Sequence, residues 1–232
     1  MNPRVVVGPL RASADVTKTL ADCGVATVHE ALGRSGLLGH RLRPLWPGAR
    51  VGGTAITVLC APGDNLMIHV AIEQAQAGDI LVITTTSPSQ DGFIGELLVT
   101  SMVVHGVVGV VTTTGIRDTA EIRKMQFPIW SQSISAQGTV KATAGSVNLP
   151  IAIAGTLVEP GDVVVADDDG VVCVPRRDAE PTAAAALQRI EKEAQVREIL
   201  RSGKLGLDHY GMRPLLERLG VTYVPAGDES ES

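Results

Sequence analysis

Short apolar runs alternate along the chain with segments whose apolar residues recur at helical spacing. The runs are rich in Val and Ile and bounded by Gly, Pro or Asp, which is typical of buried strands. The strand candidates are residues 51–60, 79–86, 106–114, 149–155 and 162–175. The helix candidates are residues 15–23, 27–32, 65–76, 96–105, 119–125 and about 178–201. This alternation predicts a mixed α/β fold.

Nothing in the sequence divides the chain into separate domains. It has no Ser/Gly-rich linker, charge block or long internal repeat, which favours one domain over residues 1–224. The last helix has a narrow apolar stripe of Leu187, Ile190 and Ala194, with charged residues on its other faces. Such a helix can extend beyond its own domain. Residues 225–232 are polar and acidic, which predicts a flexible tail.

Composition and charge exclude several classes of ligand. The net charge is -5, and there are only two residues each of Trp, Tyr and Phe. The chain therefore offers neither a basic field nor a run of stacking platforms for nucleic acid. The three cysteines form no C-x-x-C pair, which argues against a disulfide framework or a thiolate metal site. No stretch approaches the ~18 apolar residues of a membrane span. We expect a cytoplasmic protein that binds neither nucleic acid nor membranes.

The most informative segment extends from Gly95 to Glu121, because its polar residues fall at the ends of regular elements. A helix over 96–105 would run about 15 Å at 1.5 Å per residue. A strand over 107–113 would return roughly 20 Å at about 3.3 Å per residue. This pair should bring Arg117 and Asp118 back beside the start of the helix at Gly95 and Glu96.

An anion could bind at this shared end. The backbone N–H groups of the first helical turn, including those of Leu97 and Leu98, point outward and can hold a carboxylate. Gly95 leaves room for a ligand to approach. Arg117 adds a permanently charged fork that suits a carboxylate or a developing enolate oxygen.

Two interpretations of Asp118 stay open on spacing alone. Asp118 supplies a hard oxygen ligand for a divalent cation, with Glu96 and Glu121 placed to bind the water shell of that cation. The run D-T-A-E equally fits a capping box, with Asp118 at the N-cap and Glu121 at the third helical position. Arg117 would then be an ordinary ion-pair partner of Glu96 or Glu121.

Five segments, taken in order, carry a family resemblance. They are CGVATVHEALGRSGLL, PGDNLMIHVAIEQAQAGDI, GELLVTSMVVHGVVGVVTTTGIRDTAEIRK, AQGTVKATAGSVN and VEPGDVVVADDDGV. Together they resemble the 4-carboxy-4-hydroxy-2-oxoadipate and 4-hydroxy-4-methyl-2-oxoglutarate aldolases, which share a fold with the regulator-of-ribonuclease-E-activity family. The resemblance covers about residues 16–224.

The resemblance implies a class II pyruvate aldolase with an αββα sandwich fold. It also implies a homotrimer or homohexamer with sites between subunits and dependence on Mg²⁺ or Mn²⁺. By position, Arg117 matches the arginine that contacts the pyruvyl group, and Asp118 matches the direct metal ligand. Glu96 matches an acidic residue that holds metal-bound water. Leu97 and Leu98 match the backbone amides that cradle the pyruvyl carboxylate.

Two further positions follow from the same resemblance. Glu193 aligns with a helix glutamate contributed by the neighbouring subunit, which gives the last helix a purpose beyond its own domain. Thr113 departs from the pattern, because relatives often have Asp before G-x-R-D where this chain has TTTGIRD. This departure leaves one carboxylate fewer near the site.

The implied reaction is retro-aldol cleavage of 4-carboxy-4-hydroxy-2-oxoadipate to pyruvate and oxaloacetate, in the degradation of protocatechuate or gallate. Cleavage of 4-hydroxy-4-methyl-2-oxoglutarate to two pyruvates and decarboxylation of oxaloacetate should accompany it. The reaction needs an electron sink at C2. None of the five lysines lies in a clearly apolar strand, so a metal suits this role better than a Schiff base. A metal-bound hydroxide or Glu193 is the candidate base.

The alternative is a non-catalytic regulator that binds an RNA-processing enzyme through the same fold. Such a protein has no need for Asp118 beside Arg117 and Glu96, so this combination favours the enzyme.

Other polar residues receive structural interpretations first. His29 and His69 are expected to pack or cap. The turn at 62–65 is expected to cap a helix, with backbone donation to substrate as the second option. Arg41 and Arg43 are candidates for holding distal carboxylates of the substrate. The run 167–169, followed by Gly, predicts a hairpin turn.

Overall fold

The computed structural model describes residues 3–226. The chain divides after Leu187 into two compact units. The sequence predicts a single domain over residues 1–224. The division falls inside the last helix of that predicted domain, at about residues 178–201. The expected tail at 225–232 lies largely outside the described residues.

Within residues 3–187, the first unit contains twelve strands and five complete helices, together with the start of a sixth. The strands are β1 (Arg4–Val5), β2 (Arg43–Pro44), β3 (Val51–Cys60), β4 (Asp79–Thr85), β5 (Gly92–Ile94), β6 (Val107–Ile116), β7 (Ile129–Ile134), β8 (Ser146–Val147), β9 (Ile151–Ile153), β10 (Thr156–Val158), β11 (Val163–Asp167) and β12 (Gly170–Val174). The helices are α1 (Ala14–Cys23), α2 (Val25–Ala31), α3 (Leu66–Gln74), α4 (Glu96–Val104), α5 (Thr119–Lys124) and α6 (Ala179–Arg201).

The main sheet has the strand order β1-β8-β3-β4-β6-β7-β2. The four strands β3, β4, β6 and β7 pair in parallel, and β5 pairs in parallel with β6. Strand β11 joins antiparallel to β3 and forms a hairpin with β12. Parallel strands covered on both faces are apolar along their whole length. This arrangement explains the unbroken Val and Ile runs of the sequence.

Three apolar cores separate four layers of structure. One core lies between helices α3, α4 and α5 and one face of the parallel strands, where Leu81 and Ile83 point. Their neighbours Ile80 and Val82 join a second core with β9, β11 and β12. The other face of β11 and β12 packs on α1, α2 and the start of α6 in a third core. Because successive side chains of a strand alternate between faces, β4 and β11 each contribute to two cores. The mixed α/β prediction and its αββα layering are confirmed.

The hairpin between β11 and β12 connects several elements through one residue. Its turn is closed by the pairing of Asp167 with Gly170, as the acidic run predicts. The Asp167 carboxylate accepts the N–H of Val25 at the start of α2 (2.9 Å), and its carbonyl accepts Trp130 Nε1–H (2.9 Å). Trp130 is fully buried in the middle core. The acidic run therefore acts as a structural turn and cap.

The second unit comprises the rest of α6 from Gln188, then α7 (Gly206–His209) and α8 (Arg213–Arg218). No residue between 188 and 226 is buried. Its exposed large apolar side chains are Ile190, Leu200, Leu205, Tyr210, Met212, Leu215, Leu219, Val221, Tyr223 and Val224. A segment of this length without buried apolar residues lacks a core of its own. None of the helices within residues 3–226 is long and apolar enough to cross a membrane.

Candidate active site

The end of β6 meets the beginning of α4, as the sequence predicts. Just after β6, the N–H of Arg117 donates to the carbonyl of Ile94 (2.8 Å). This bond holds the segment after β6 against the end of β5. Asp118 follows, and its Oδ2 accepts the backbone N–H of Glu96 (3.1 Å) at the first residue of α4. One of the unpaired amides at the helix N-terminus is thereby satisfied by a residue from another element.

Gly95 is required for this close approach. A Cβ at this position would lie 2.4 Å from Oδ2 of Asp118 and 3.0 Å from Nε of Arg117. No side chain fits at the first of these distances without displacing the carboxylate or the helix. The absence of a side chain at Gly95 therefore sets the geometry of Asp118.

The capping-box interpretation of Asp118 is wrong. Asp118 occupies the N-cap position of α5, but its backbone is left-handed (φ 53°, ψ 36°) and its side chain makes no bond to that helix. Glu121 does not reach back either, because it binds the ammonium of Lys124 at 2.9 and 3.0 Å. Aspartate tolerates the left-handed region better than most residues, and here that conformation accompanies a carboxylate directed to α4.

Arg117 is only loosely tied to its neighbours. Its Nε lies 3.9 Å from Oδ2 of Asp118, and about half of each side chain is exposed. Within residues 3–226 its guanidinium makes no ion pair with Glu96 or Glu121. The guanidinium of Arg117 therefore has N–H donors available to bind a ligand.

A cavity of about 370 Å³ opens at this junction. It is lined by Asn65, His69, Phe93, Gly95, Leu97, Leu98, Ser101, Arg117, Asp118 and Lys141. Five of the seven predicted site residues are thus brought together. Glu96 does not line the cavity, and its Oε1 accepts the Thr100 hydroxyl (3.0 Å). Glu193 belongs to the second unit, where it pairs with Arg189 (2.8 Å), so its proposed role stays a prediction.

The two predicted backbone donors differ. The N–H of Leu98 donates to the Gly95 carbonyl (3.1 Å), because the first turn of α4 is tightened toward 3₁₀ geometry. The N–H of Leu97 has no acceptor among the described residues. Leu97 is therefore the better donor to an anion, and the expectation of two free amides is corrected to one free and one shared.

Five cavity residues were not predicted as site residues, namely Asn65, His69, Phe93, Ser101 and Lys141. Asn65 is only 7% exposed; its Nδ2 donates to the Phe93 carbonyl (2.8 Å), and its Oδ1 has no partner. His69 lies one turn further along α3, on the same face, which the four-residue spacing could have indicated. Lys141 arrives from a segment distant in sequence, and no local pattern marks it. Arg41 and Arg43, in contrast, do not line the cavity.

The charges around the cavity suit an anion. Two cations, Arg117 and Lys141, line it together with a single carboxylate, that of Asp118. Burial, followed by the positive charge of Lys141, lowers the pKa of His69 below its usual value. His69 is therefore neutral at pH 7, and its imidazole can accept a proton.

The cavity residues suit the binding of a hard, well-hydrated cation better than a site in which protein side chains supply every metal ligand. No cluster of three or more His, Cys, Asp or Glu suited to a metal occurs in the described part of the chain. Asp118 uses Oδ2 for Glu96, while Oδ1 has no hydrogen bond from the described residues. Mg²⁺ commonly takes one or two carboxylates and completes its shell with water and substrate. Asp118 could hold such an ion.

Thr113 and the cysteines take no part in the cavity. Thr113 forms a hydroxyl–hydroxyl bond with Thr84 (3.0 Å) between β6 and β4. All three cysteines are buried. Burial raises the pKa of the Cys60 thiol to about 12, so it is not a nucleophile at neutral pH.

The chain belongs to the RraA-like family, since the family model described as Aldolase/RraA matches residues 19–173. A relative from Halalkalibacterium halodurans is 31% identical over 68% of this chain and 76% of its own length. Another from Burkholderia multivorans is 30% identical over 66% of this chain and 95% of its own. Both carry the name "putative 4-hydroxy-4-methyl-2-oxoglutarate aldolase".

Solved structures of this family share the fold. Streptomyces coelicolor RraAS2, described as an unusual member of the RNase ES inhibitor RraA protein family, superposes with a TM-score of 0.73 at 29% identity. The match covers 81% of this chain and 98% of that one. The RNA-processing inhibitor RraA from Thermus thermophilis has a TM-score of 0.59 at 23% identity, over 65% of this chain and 91% of its own. It supports the fold alone.

We expect Gly95→Ala to destabilise the protein, because the new Cβ would overlap the Asp118 carboxylate. The side chains of Asp118 and Arg117 are half-exposed and can be displaced, so we expect the low end of the about 1–3 kcal/mol that overpacking costs. About 2–4 °C of Tm per kcal/mol is usual at this size. The Tm of thermal unfolding measures this loss of stability. The matched control is Leu97→Ala, whose side chain is 82% exposed and should leave Tm nearly unchanged. Equal Tm values for both variants would show that Gly95 does not set this geometry.

Proposed function

We propose that the protein is a divalent-metal-dependent pyruvate aldolase. It cleaves the C3–C4 bond of 4-carboxy-4-hydroxy-2-oxoadipate to give pyruvate and oxaloacetate, and cleaves 4-hydroxy-4-methyl-2-oxoglutarate to two pyruvates. The observation that carries this proposal is the convergence of a helix N-terminus, Arg117 and Asp118 on one cavity. The names of the two relatives support it. The setting is the breakdown of aromatic acids such as protocatechuate or gallate.

The pyruvyl end of the substrate binds at the start of α4. The free N–H of Leu97 and the positive end of the helix dipole hold its carboxylate. The guanidinium of Arg117 lies beside the same turn and binds the 2-oxo oxygen, where negative charge develops as the enolate forms. Donors aimed at developing charge are the main source of such catalysis.

Asp118 would hold Mg²⁺ or Mn²⁺, and Glu96, whose backbone N–H donates to the Asp118 carboxylate, would orient water of its shell. When bound, the cation polarises the 2-oxo group and neutralises part of the enolate charge. Oδ2 of Asp118 accepts the N–H of Glu96, while Oδ1 accepts no hydrogen bond from the described residues and stays available for a cation.

The cleavage step also requires a proton acceptor and recognition of C4. The C4 hydroxyl proton is removed, the C3–C4 bond breaks, and its electron pair passes to C3 of the pyruvyl enolate, which is then protonated. The unpaired Oδ1 of Asn65 accepts a hydrogen bond from the C4 hydroxyl. His69, neutral because of its lowered pKa, is the residue of the cavity able to take the proton. Lys141 binds a carboxylate carried at C4.

Assembly into a homotrimer or homohexamer belongs to this proposal. Helix α4 exposes Leu97, Val103 and Val104, and the second unit exposes many apolar side chains. Large exposed apolar surfaces mark interfaces with other chains. In such an assembly Glu193 of a neighbouring copy can approach the cavity, as the family resemblance implies.

The second candidate function is a regulator that binds an RNA-processing enzyme. The superposition on the RraAS2 structure favours it. A regulator would show no turnover, so an assay for pyruvate separates the two.

The metal and Asp118 should both be essential. We expect a coupled pyruvate assay with Mg²⁺ to show cleavage of the carboxylated substrate, and EDTA to abolish it. Asp118→Ala should lower kcat/KM by about 10²–10³-fold, the usual effect of removing one electrostatic stabiliser. Arg43→Ala, a change outside the cavity, is the control and should remain within about twofold of wild type. Turnover that survives both EDTA and Asp118→Ala would rule out the metal mechanism.

The pH profile should report on His69. Because its folded-state pKa is lowered, the imidazole stays neutral until the pH falls below about 6.5, and kcat/KM should decline only in that range. His69→Asn should remove this acid limb and reduce kcat/KM by about 10²-fold, as expected for loss of a proton acceptor. The groups that share the cavity, Asp118, Arg117 and Lys141, are unchanged in this variant. An unaltered acid limb in His69→Asn would assign the proton acceptor elsewhere.

A further inference from the structure

Two segments distant in sequence are joined beside the cavity by one buried carboxylate. Asp64 is only 2% exposed. Its Oδ1 accepts the N–H of Leu66 (2.9 Å), and its Oδ2 accepts those of Ala142 (2.7 Å) and Thr143 (2.6 Å). We call this arrangement the Asp64 joint.

Backbone bonds reinforce the joint on either side. The N–H of Asn65 donates to the Val140 carbonyl (3.1 Å), and the N–H of Val140 donates to the Gly63 carbonyl (2.9 Å). Lys141 is therefore held between two anchored neighbours, Val140 and Ala142. Its backbone is fixed while its side chain is exposed.

The residues enclosed by the joint are the two that face the C4 end of the proposed substrate. Asn65 and Lys141 both line the cavity, yet neither belongs to the junction of β6 and α4 that holds the pyruvyl end. Asn65 brings a buried, unpaired acceptor, and Lys141 brings a flexible ammonium group. A long flexible cation can select a carboxylate only if its backbone is fixed.

We propose that Asp64 is a positioning residue for substrate specificity, which holds Lys141 and Asn65 in place to recognise the carboxylate and hydroxyl at C4. This inference rests on the proposed aldolase function. Asp64 acts through these two residues and does not touch the substrate.

The chemistry of the joint requires an ionised carboxylate. Burial would raise the pKa of Asp64, but the hydrogen bonds from Leu66, Ala142 and Thr143 outweigh it, so this pKa lies below that of an ordinary aspartate. An amide cannot replace it, because either orientation of Asn would direct an NH₂ group at a backbone N–H donor. Asp64→Asn should therefore open the joint while changing the side-chain volume very little.

The chain supplies a matched control for this substitution. Asp162 also follows a Pro-Gly pair, is 5% exposed, and accepts the N–H groups of Glu159 and Arg176 (both 2.9 Å). It lies outside the cavity. Asp162→Asn therefore removes the same kind of buried bond without affecting Lys141.

The test compares two activities of wild type, Asp64→Asn, Asp162→Asn, Lys141→Ala and the Asp64→Asn/Lys141→Ala double variant. One is cleavage of 4-carboxy-4-hydroxy-2-oxoadipate, and the other is exchange of the pyruvate methyl protons in D₂O followed by NMR. Only the first uses the groups at C4. Thermal unfolding of each variant reports on the fold.

We expect Asp64→Asn to raise KM for cleavage about tenfold. Its cleavage activity should fall several times more than its proton-exchange activity. Asp162→Asn should not change this ratio, even at a similar loss of Tm. The double variant should be less impaired than the product of the two single effects, because part of the effect of Asp64 acts through Lys141 and coupled residues are not additive. If Asp64→Asn does not fold, Thr143→Ala should raise KM in the same direction by a smaller factor, because the Thr143 side chain helps to keep the pKa of Asp64 low.

Three results would overturn the inference. An unchanged KM in both Asp64→Asn and Thr143→Ala would show that the joint does not position the C4 groups. Multiplicative effects of Asp64→Asn and Lys141→Ala would show that they act independently. If wild type neither cleaves substrate nor exchanges pyruvate protons, the proposed function fails, and the role of Asp64 fails with it.

Discussion

The hydrogen bond from the Glu96 amide to the Asp118 carboxylate determines how the candidate site is built. It joins the first turn of α4 to the residue that follows β6 and Arg117. Gly95 allows the two segments to approach, and the left-handed backbone of Asp118 directs its carboxylate across the junction. The free amide of Leu97, the fork of Arg117 and the open oxygen of Asp118 all take their positions from this contact.

The αββα layers explain why this junction can be exposed and still be precise. The strands beneath it are buried on both faces, and Leu98, Val99 and Met102 anchor α4 in the first core. Only the start of the helix and one apolar side reach the surface. A rigid scaffold with its chemistry at element ends is a common way to build a site.

The local part of the site could be predicted from the sequence. Helix α4 and strand β6 are joined by a short connection, so their lengths alone place Arg117 and Asp118 beside Gly95. The role of Asp118 at its helix could not be predicted, because the spacing of a capping box does not encode a left-handed backbone. Half of the residues of β7 are polar, so the apolar runs do not predict this strand. Its pairing with β6 is a tertiary effect.

The other half of the cavity could not be predicted, because it depends on long-range contacts. Lys141 reaches Asn65 and His69 through bonds between Asp64 and residues 78 and 79 positions later, and no periodicity signals such a contact.

The composition is informative in a different way. With Trp130 and Phe93 buried, recognition of a small anionic acid relies on amides, two cations and the proposed metal rather than on stacking.

The most direct measurement is a crystal structure of the protein with Mg²⁺ and oxalate, a stable mimic of the pyruvyl enolate. We expect oxalate at the start of α4, with one carboxylate oxygen within hydrogen-bond distance of the Leu97 amide and another at the Arg117 guanidinium. The cation should lie on Asp118 and contact oxalate. Oxalate and cation bound elsewhere, with this junction empty, would contradict it.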